Sequence, residues 1–361
     1  MNAACATSFD VRGRPWVIGT IDTPAGPVPR VATAWSCRDR LEHFRCRIGS
    51  YRNRYLVAPG LYAVGAPAPT SEVFVTANYK MSFDHLRVAL DGIDAWILVL
   101  DTRGVNVWCA AGKGTFGTEE LTRRIESVGL RRIVAHRRII VPQLGAPGVS
   151  GHEVQRVTRF RVHFGPVRAS DIAAYLRGGL EATSEMRRVR FGIVDRVVLV
   201  PMELVPALKA VLGYAAAVLL LSGVGPHGFS FGRAALAGVP VAGLGIVAVI
   251  SGAVLTPLLL PIVPGRAFAF KGALVGLVPT AGYAALVPTI LDGGPALAAF
   301  AYVFTPAASS YLALQFTGSS TFTSMSGVKR ELRFSLPIHV AAITMSVALL
   351  VAHQVASWRA T

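Results

Sequence analysis

A single cysteine, Cys109, stands in the run Asn106-Val107-Trp108-Cys109-Ala110-Ala111-Gly112-Lys113, just past the apolar segment Ala95 to Leu100. A thiolate is a soft donor that suits a transition metal. One cysteine is too few for a zinc or iron–sulfur site, which takes about four protein ligands. It can supply one axial ligand to a metal already held by a macrocycle. Ala110, Ala111 and Gly112 leave room for a large flat ligand to approach the backbone, and Asn106 is a residue type that caps helix starts. Trp108 can stack on such a ligand or pack in a core. The plainer reading of Cys109 is a free thiol packing as a small hydrophobe.

Other motifs are weaker. Gly112, Gly114 and Gly117 fit the spacing of a dinucleotide-binding fingerprint, which would make the chain an NAD(P)-dependent oxidoreductase. The first glycine of that motif belongs at a strand-to-helix turn, and Gly112 lies eleven residues beyond Asp101. A phosphate-binding P-loop is excluded, because Lys113 precedes glycine rather than Ser or Thr and position 107 is Val. His136, His152 and His163 are scattered. Cys5, Cys37 and Cys46 form no C-x-x-C pair; Cys37 and Cys46 read as structural thiols, with a redox or metal pair as the alternative, and Cys5 has no assigned role.

The elements that position Cys109 alternate between strands and helices. Trp16 to Thr20, Glu72 to Thr76 and Ala95 to Leu100 are strand-like runs, the last apolar throughout, as in a strand buried on both faces. Ser82 to Leu90 has helical spacing. Thr118-Glu119-Glu120-Leu121 opens a helix, with Thr118 expected to cap it. Arg132 to Ala135, Arg138 to Val141, Arg159 to Phe164 and Val197 to Val200 read as further strands, and Ala169 to Leu176 as a helix. The pattern predicts an α/β Rossmann-like domain with a mostly parallel sheet.

The remainder of the chain is different. Of 361 residues 52% are hydrophobic, and the mean hydropathy is +0.50, too apolar for an ordinary soluble enzyme. Five stretches near 206–224, 236–256, 270–290, 295–315 and 337–356 approach the ~20 residues of a bilayer helix. The chain therefore divides into a domain over 1–204, with a short cap helix near 106–113, and an all-α transmembrane domain of five helices over 205–361. The formal net charge is +16. Residues 1–204 hold 28 Lys/Arg and 18 Asp/Glu, against eight and two beyond them. No nucleic-acid-binding motif accompanies this excess; arginines beside spans hold their segments in the cytoplasm and meet anionic lipid. The loops carrying Arg266 and Lys271, and Lys329, Arg330 and Arg333, share the cytoplasmic side with the front domain, a multi-pass arrangement in the inner membrane.

The run at 106–113 resembles the cap-helix motif of the HgcA family, the membrane corrinoid proteins of mercury methylation. The resemblance extends to Val73 through Lys80, Val141 through Gly148, Phe164 through Arg168 and the five-span tail. The globular part is also similar to the corrinoid iron–sulfur protein of the acetyl-CoA pathway. The resemblance implies a cobalamin-type corrinoid with Cys109 as lower axial ligand to cobalt. Asn106, Val107, Trp108, Ala110, Ala111, Gly112 and Lys113 would shape that face, while Thr76, Gly165 and Ala169 would line the corrinoid or its nucleotide tail. The implied reaction is transfer of methyl from methylcobalt(III) to Hg(II), forming methylmercury. The implied partners are a ferredoxin-like HgcB with 4Fe-4S clusters and a folate-type methyl donor served by a methyltransferase. A non-catalytic membrane scaffold for a corrinoid complex would instead leave Cys109 dispensable.

Overall fold

A computed structural model describes residues 13–319, 322 and 325–359, so Cys5 lies outside the described residues. The chain forms two compact units, Met1–Val189 and Arg190–Thr361.

The first unit is an α/β sandwich. Its strands are β1 (Val17–Thr23), β2 (Gly26–Val31), β3 (Gly60–Val64), β4 (Val73–Ala77), β5 (Ala95–Leu100), β6 (Arg138–Val141) and β7 (Arg161–Phe164). They form one sheet in the order β1-β2-β3-β5-β4-β6-β7. The run β5-β4-β6-β7 is parallel throughout, and β1 pairs antiparallel with β2 as β3 does with β5. Every residue of β4 and β5 is buried, as the β-branched and aromatic runs demand of central strands covered on both faces.

Helices α1 (Cys37–Ile48), α2 (Lys80–Ala89), α3 (Val107–Lys113), α4 (Thr118–Ser127), α5 (Leu130–Ile133), α6 (Gly151–Thr158) and α7 (Ile172–Arg177) complete this unit. Two cores flank the sheet. One joins Val75 and Leu98 to Ala110, Phe116, Leu121, Ile125 and Val154. The other joins Phe74 and Ile97 to Phe83, Leu86, Ile172 and Tyr175. The period-2 alternation of strand side chains sorts residues between them.

The second unit is helical. Among the described residues five helices are long and apolar enough to cross a membrane: α8 (Ile193–Gly223), α9 (Phe231–Leu259), α10 (Phe268–Leu286), α11 (Pro295–Gly318) and α12 (Ser326–Arg359). Glycines set their spacing at the tightest contacts. A Cβ built on Gly272 would lie 2.6 Å from Ala313 Cβ and 2.8 Å from the Ser309 carbonyl oxygen, the close approach that small residues permit between membrane helices.

Three local expectations are corrected. Val197 to Val200 is not a strand but part of α8; there the backbone groups are satisfied within the helix, whereas a strand needs a partner strand to satisfy them. Arg132 to Ala135 is not a strand either. Gly129, at φ 62°, starts the helical turn α5, which buries Leu130 and Ile133, and only Val134 is extended. Finally, Thr118 does not cap α4. The N-cap is Gly117, and Thr118 Oγ1 instead accepts a hydrogen bond from the Ser150 N–H at 2.8 Å.

Candidate functional site

The parallel strands place four carboxyl ends along one edge of the sheet. From β4 the chain moves to β5 on one side, then crosses back to β6 on the other. Ligands of open α/β sheets settle at such a reversal, outside the strand ends. The segments there are Asn78-Tyr79 after β4 and Pro142-Gln143 after β6. Helix α3 follows β5 and packs against β4 and the turn Gln143–Gly145.

The loop carrying α3 is fastened by Asn78, which is buried. Asn78 Oδ1 accepts from the Thr102 N–H at 3.1 Å, the Thr102 hydroxyl at 2.9 Å and the Gly104 N–H at 2.9 Å. Its Nδ2 donates to Asp101 Oδ1 at 3.3 Å. From the other side, Glu120 of α4 accepts from the Asp101 N–H at 2.8 Å. Gly104 has φ 74°, and a Cβ there would stand 2.3 Å from Leu56 Cδ2, so both backbone and space require glycine. Asn106 then caps α3, its Oδ1 accepting from the Cys109 N–H at 2.9 Å.

α3 buries Val107, Ala110 and Ala111. Its other face presents Trp108, 37% exposed, the half-buried Cys109, and the exposed Gly112 and Lys113. Nothing lies within 4 Å of a Cβ built on Gly112, so that face is open. Below the helix, Phe116 is fully buried, and a Cβ on Gly148 would meet the Phe116 carbonyl oxygen at 2.2 Å and Ala111 Cα, in α3, at 3.1 Å. The segment 142–148 therefore supports α3 through a backbone contact that admits no side chain.

The residues singled out from the sequence fall into two groups. Asn106 through Lys113 form α3 and its cap, with their buried members in the core that includes Phe116. Thr76 is buried near the end of β4; alternation sets it on the same face as Phe74, in the opposite core. The Gly165 N–H continues the sheet by donating to the Val141 carbonyl at 2.9 Å. Ala169 opens a short turn packed on that same core. The structure does not bring these three onto the α3 face. The glycine run does not make a strand-to-helix turn: Gly112 is inside α3, Gly114 ends it and Gly117 starts α4. Among the described residues no three of His, Cys, Asp and Glu are grouped to hold a metal ion, and Cys37, Cys46 and Cys109 are free thiols. Burial pushes the Cys46 thiol up to about 11.

Sequence reasoning missed Asn78 as an organiser of this edge, together with a buried ionic network behind it. Asp84 Oδ1 accepts from Arg87 Nε at 2.7 Å and from Lys80 Nζ. Asp84 Oδ2 lies 3.0 Å from His43 Nε2 and 3.3 Å from the Tyr55 hydroxyl. Arg87 Nη2 donates to Asp39 Oδ2 at 2.8 Å. Burial alone would raise the Asp39 carboxyl, but the Ser36 hydroxyl and N–H, with Lys80 and Arg87, hold it down at about 2. Burial lowers Lys80, against the pull of Asp84. The only local signal for the network was the Lys80, Asp84, Arg87 spacing on one helix face.

Residues 50–176 match the family described as CO dehydrogenase/acetyl-CoA synthase delta subunit. The matched segment runs from just before β3 to α7. Over 144 residues the chain is 31% identical to the acetyl-CoA decarbonylase/synthase complex subunit gamma of Methanopyrus kandleri, covering 39% of this chain and 31% of the relative. Over 122 residues it is 31% identical to the corrinoid/iron–sulfur protein large subunit of Moorella thermoacetica, covering 33% and 27%. The chain thus spans less than a third of the length of these relatives. Within the first unit, residues 50–176 are thus similar to subunits of CO dehydrogenase/acetyl-CoA synthase and corrinoid/iron–sulfur proteins.

Proposed function

We propose that this chain is a corrinoid-dependent methyltransferase that passes a methyl group to inorganic Hg(II), forming methylmercury. We place its α/β unit in the cytoplasm and its helical unit in the inner membrane. The observation that carries the reading is the placement of Cys109: half-buried, on the open face of a capped helix, beside the reversal point of a sheet whose relatives include a corrinoid/iron–sulfur protein. The small residues of α3 and the open space at Gly112 fit a broad planar group.

In this reading Cys109 Sγ would be the protein donor that holds the corrinoid cobalt. Asn106 fixes the helix start, while Trp108, Gly112 and Lys113 meet the macrocycle. Val107, Ala110 and Ala111 set its distance from the core. Gly165 and Ala169, on the opposite side of the sheet, would lie along the nucleotide tail, with the buried Thr76 supporting that wall. When bound, the corrinoid would supply a cobalt-carried methyl group, and the soft Cys109 donor would suit transfer to a soft electrophile such as Hg(II). The two low-potential electrons needed to return the cobalt to its methyl-accepting state would come from a ferredoxin-like protein with 4Fe-4S clusters, HgcB in the family the sequence resembles. A folate-type donor supplies methyl through a methyltransferase.

The test is anaerobic reconstitution of the full chain with cobalamin, reading cobalt content, the ultraviolet–visible spectrum and methylmercury formation, beside Cys109→Ala. We expect a spectrum that changes with loss of the thiol and methylation reduced to background. Full activity in Cys109→Ala, or no corrinoid retained by either protein, overturns the proposal.

A further inference from the structure

Helix α1 has its amphipathic faces reversed for a helix in water. The buried face carries Asp39, His43 and Cys46. At 3.6 residues per turn, Cys37, Leu41, Phe44 and Ile48 fall within an arc of about 60° on the opposite face. Leu41 is 58% and Phe44 56% exposed; Cys37 is exposed and Ile48 partly so. Arginines run along both borders of this stripe, Arg38 and Arg45 on one side and Arg40 and Arg47 on the other. Arg38 Nε donates to Glu42 at 2.9 Å, and Arg45 lies over the Tyr51 ring at 4.8 Å.

The helix cannot escape this arrangement by turning over. Asp39 is paired with Arg87 and Lys80, and His43 with Asp84. Rotation would leave those buried charges uncompensated, a far larger cost than exposing two apolar side chains. The ion pairs therefore hold Leu41 and Phe44 outward.

An apolar stripe between two rows of cations is the pattern of a helix lying in a lipid interface, its apolar face among acyl chains and its cations at the phosphates. The chain carries five helices able to span a bilayer, so such a surface is tethered to it at high effective concentration. We propose that α1 is an interfacial anchor. It lays Leu41 and Phe44 into a leaflet of the membrane that the same chain spans and binds anionic headgroups through Arg38, Arg40, Arg45 and Arg47. Lipid is favoured over an acidic protein because the spans already deliver it and because cations along both borders of a convex stripe match a planar sheet of phosphates. The inference stands whether or not Cys109 meets a metal.

Cys37, within the stripe, is the reporter. The full chain with Cys5→Ser and Cys109→Ala is placed in nanodiscs of phosphatidylcholine, with or without phosphatidylglycerol, and alkylated with a charged, membrane-impermeant maleimide. We expect Cys37 to react about tenfold more slowly in the anionic discs. High salt, or Arg40→Gln with Arg47→Gln, should remove that difference, and Leu41→Glu with Phe44→Glu should abolish protection in both lipids. Continued silence of the buried Cys46 shows that α1 keeps its fold in each variant. Equal Cys37 rates in the two lipids overturn the proposal. So does protection that appears only on adding an acidic ferredoxin, which would make the stripe a protein-docking face.

Discussion

The two units handle buried charge with different emphasis. In the α/β unit, charged side chains chiefly satisfy one another: Asp84 gathers Lys80, Arg87 and His43, and Asp39 takes the far end of Arg87, while Arg87 Nη1 also donates to the Ala32 and Ala34 carbonyls. In the helical unit they serve the backbone. Arg196 donates to the carbonyls of Pro257 and Leu258 at the end of α9, and Lys271 donates to that of Leu260. Glu331 accepts from the Ala269 N–H at the start of α10, at 2.6 Å. The difference fits helices long and apolar enough to span a membrane. Helix ends leave orphan carbonyls and amides that water satisfies around a soluble domain, while buried ends in an apolar medium need a side chain. One unit uses charge to fix a side-chain arrangement, the other to close helix termini.

Replacing Asp84 breaks the contrast most severely. Asp84→Leu leaves Lys80 and Arg87 buried without their shared carboxylate, at an expected cost of about 3–5 kcal/mol. Denaturant unfolding of the detergent-solubilised chain would show it, followed through Trp16 and Trp35, which lie beside Lys80 and His43. If the loss is only a few tenths of a kcal/mol, the network does not hold α1. Arg196→Met strands two carbonyls and should cost about 1–3 kcal/mol, seen as earlier thermal unfolding of the helical unit with the α/β unit unchanged. A loss confined to the α/β unit would refute the division of roles. Asn78→Leu orphans the Thr102 and Gly104 amides for a similar or smaller cost and should raise hydrogen exchange across 101–109. Asn106→Ala removes a single cap, about 1 kcal/mol, with faster exchange at Cys109 N–H as its local sign.

Acid sharpens the same comparison. The folded Asp39 carboxyl sits at about 2, below its ordinary 3.8. Its contribution is fully present above the ordinary value and is lost as pH falls from about 4 toward 2. The α/β unit should therefore loosen in that window, and Asp39→Asn should flatten this part of the pH profile.

Much was legible because it is local. The all-apolar β5, the β-branched β4 and the five long apolar stretches declare themselves by composition. Asn106 as a helix cap with Cys109 three residues on is a short-range pattern, and the helix forms there. Where neighbours decide, local reading failed. Val197 to Val200 has strand composition but lies in an apolar helix. Thr118 is a capping residue, yet its hydroxyl serves Ser150 across the loop. Asn78 is one amide among loop residues until the fold sets Thr102 and Gly104 against it. The Arg-rich opening of the chain gave no sign of α1, because its buried face is polar and its exposed face apolar.

By itself, then, the sequence determined the α/β domain followed by membrane-competent helices, and a lone thiol at the start of a short capped helix. These follow from periodicity, hydropathy and capping, which act within a few residues. Only the tertiary structure decided which face of each element is buried. It put Cys109 on the open side of α3 by seating Ala110 and Ala111 in the core. It turned Leu41 and Phe44 outward by pairing Asp39 and His43 with partners on α2. Those outcomes depend on long-range pairings, whose energies no local window contains.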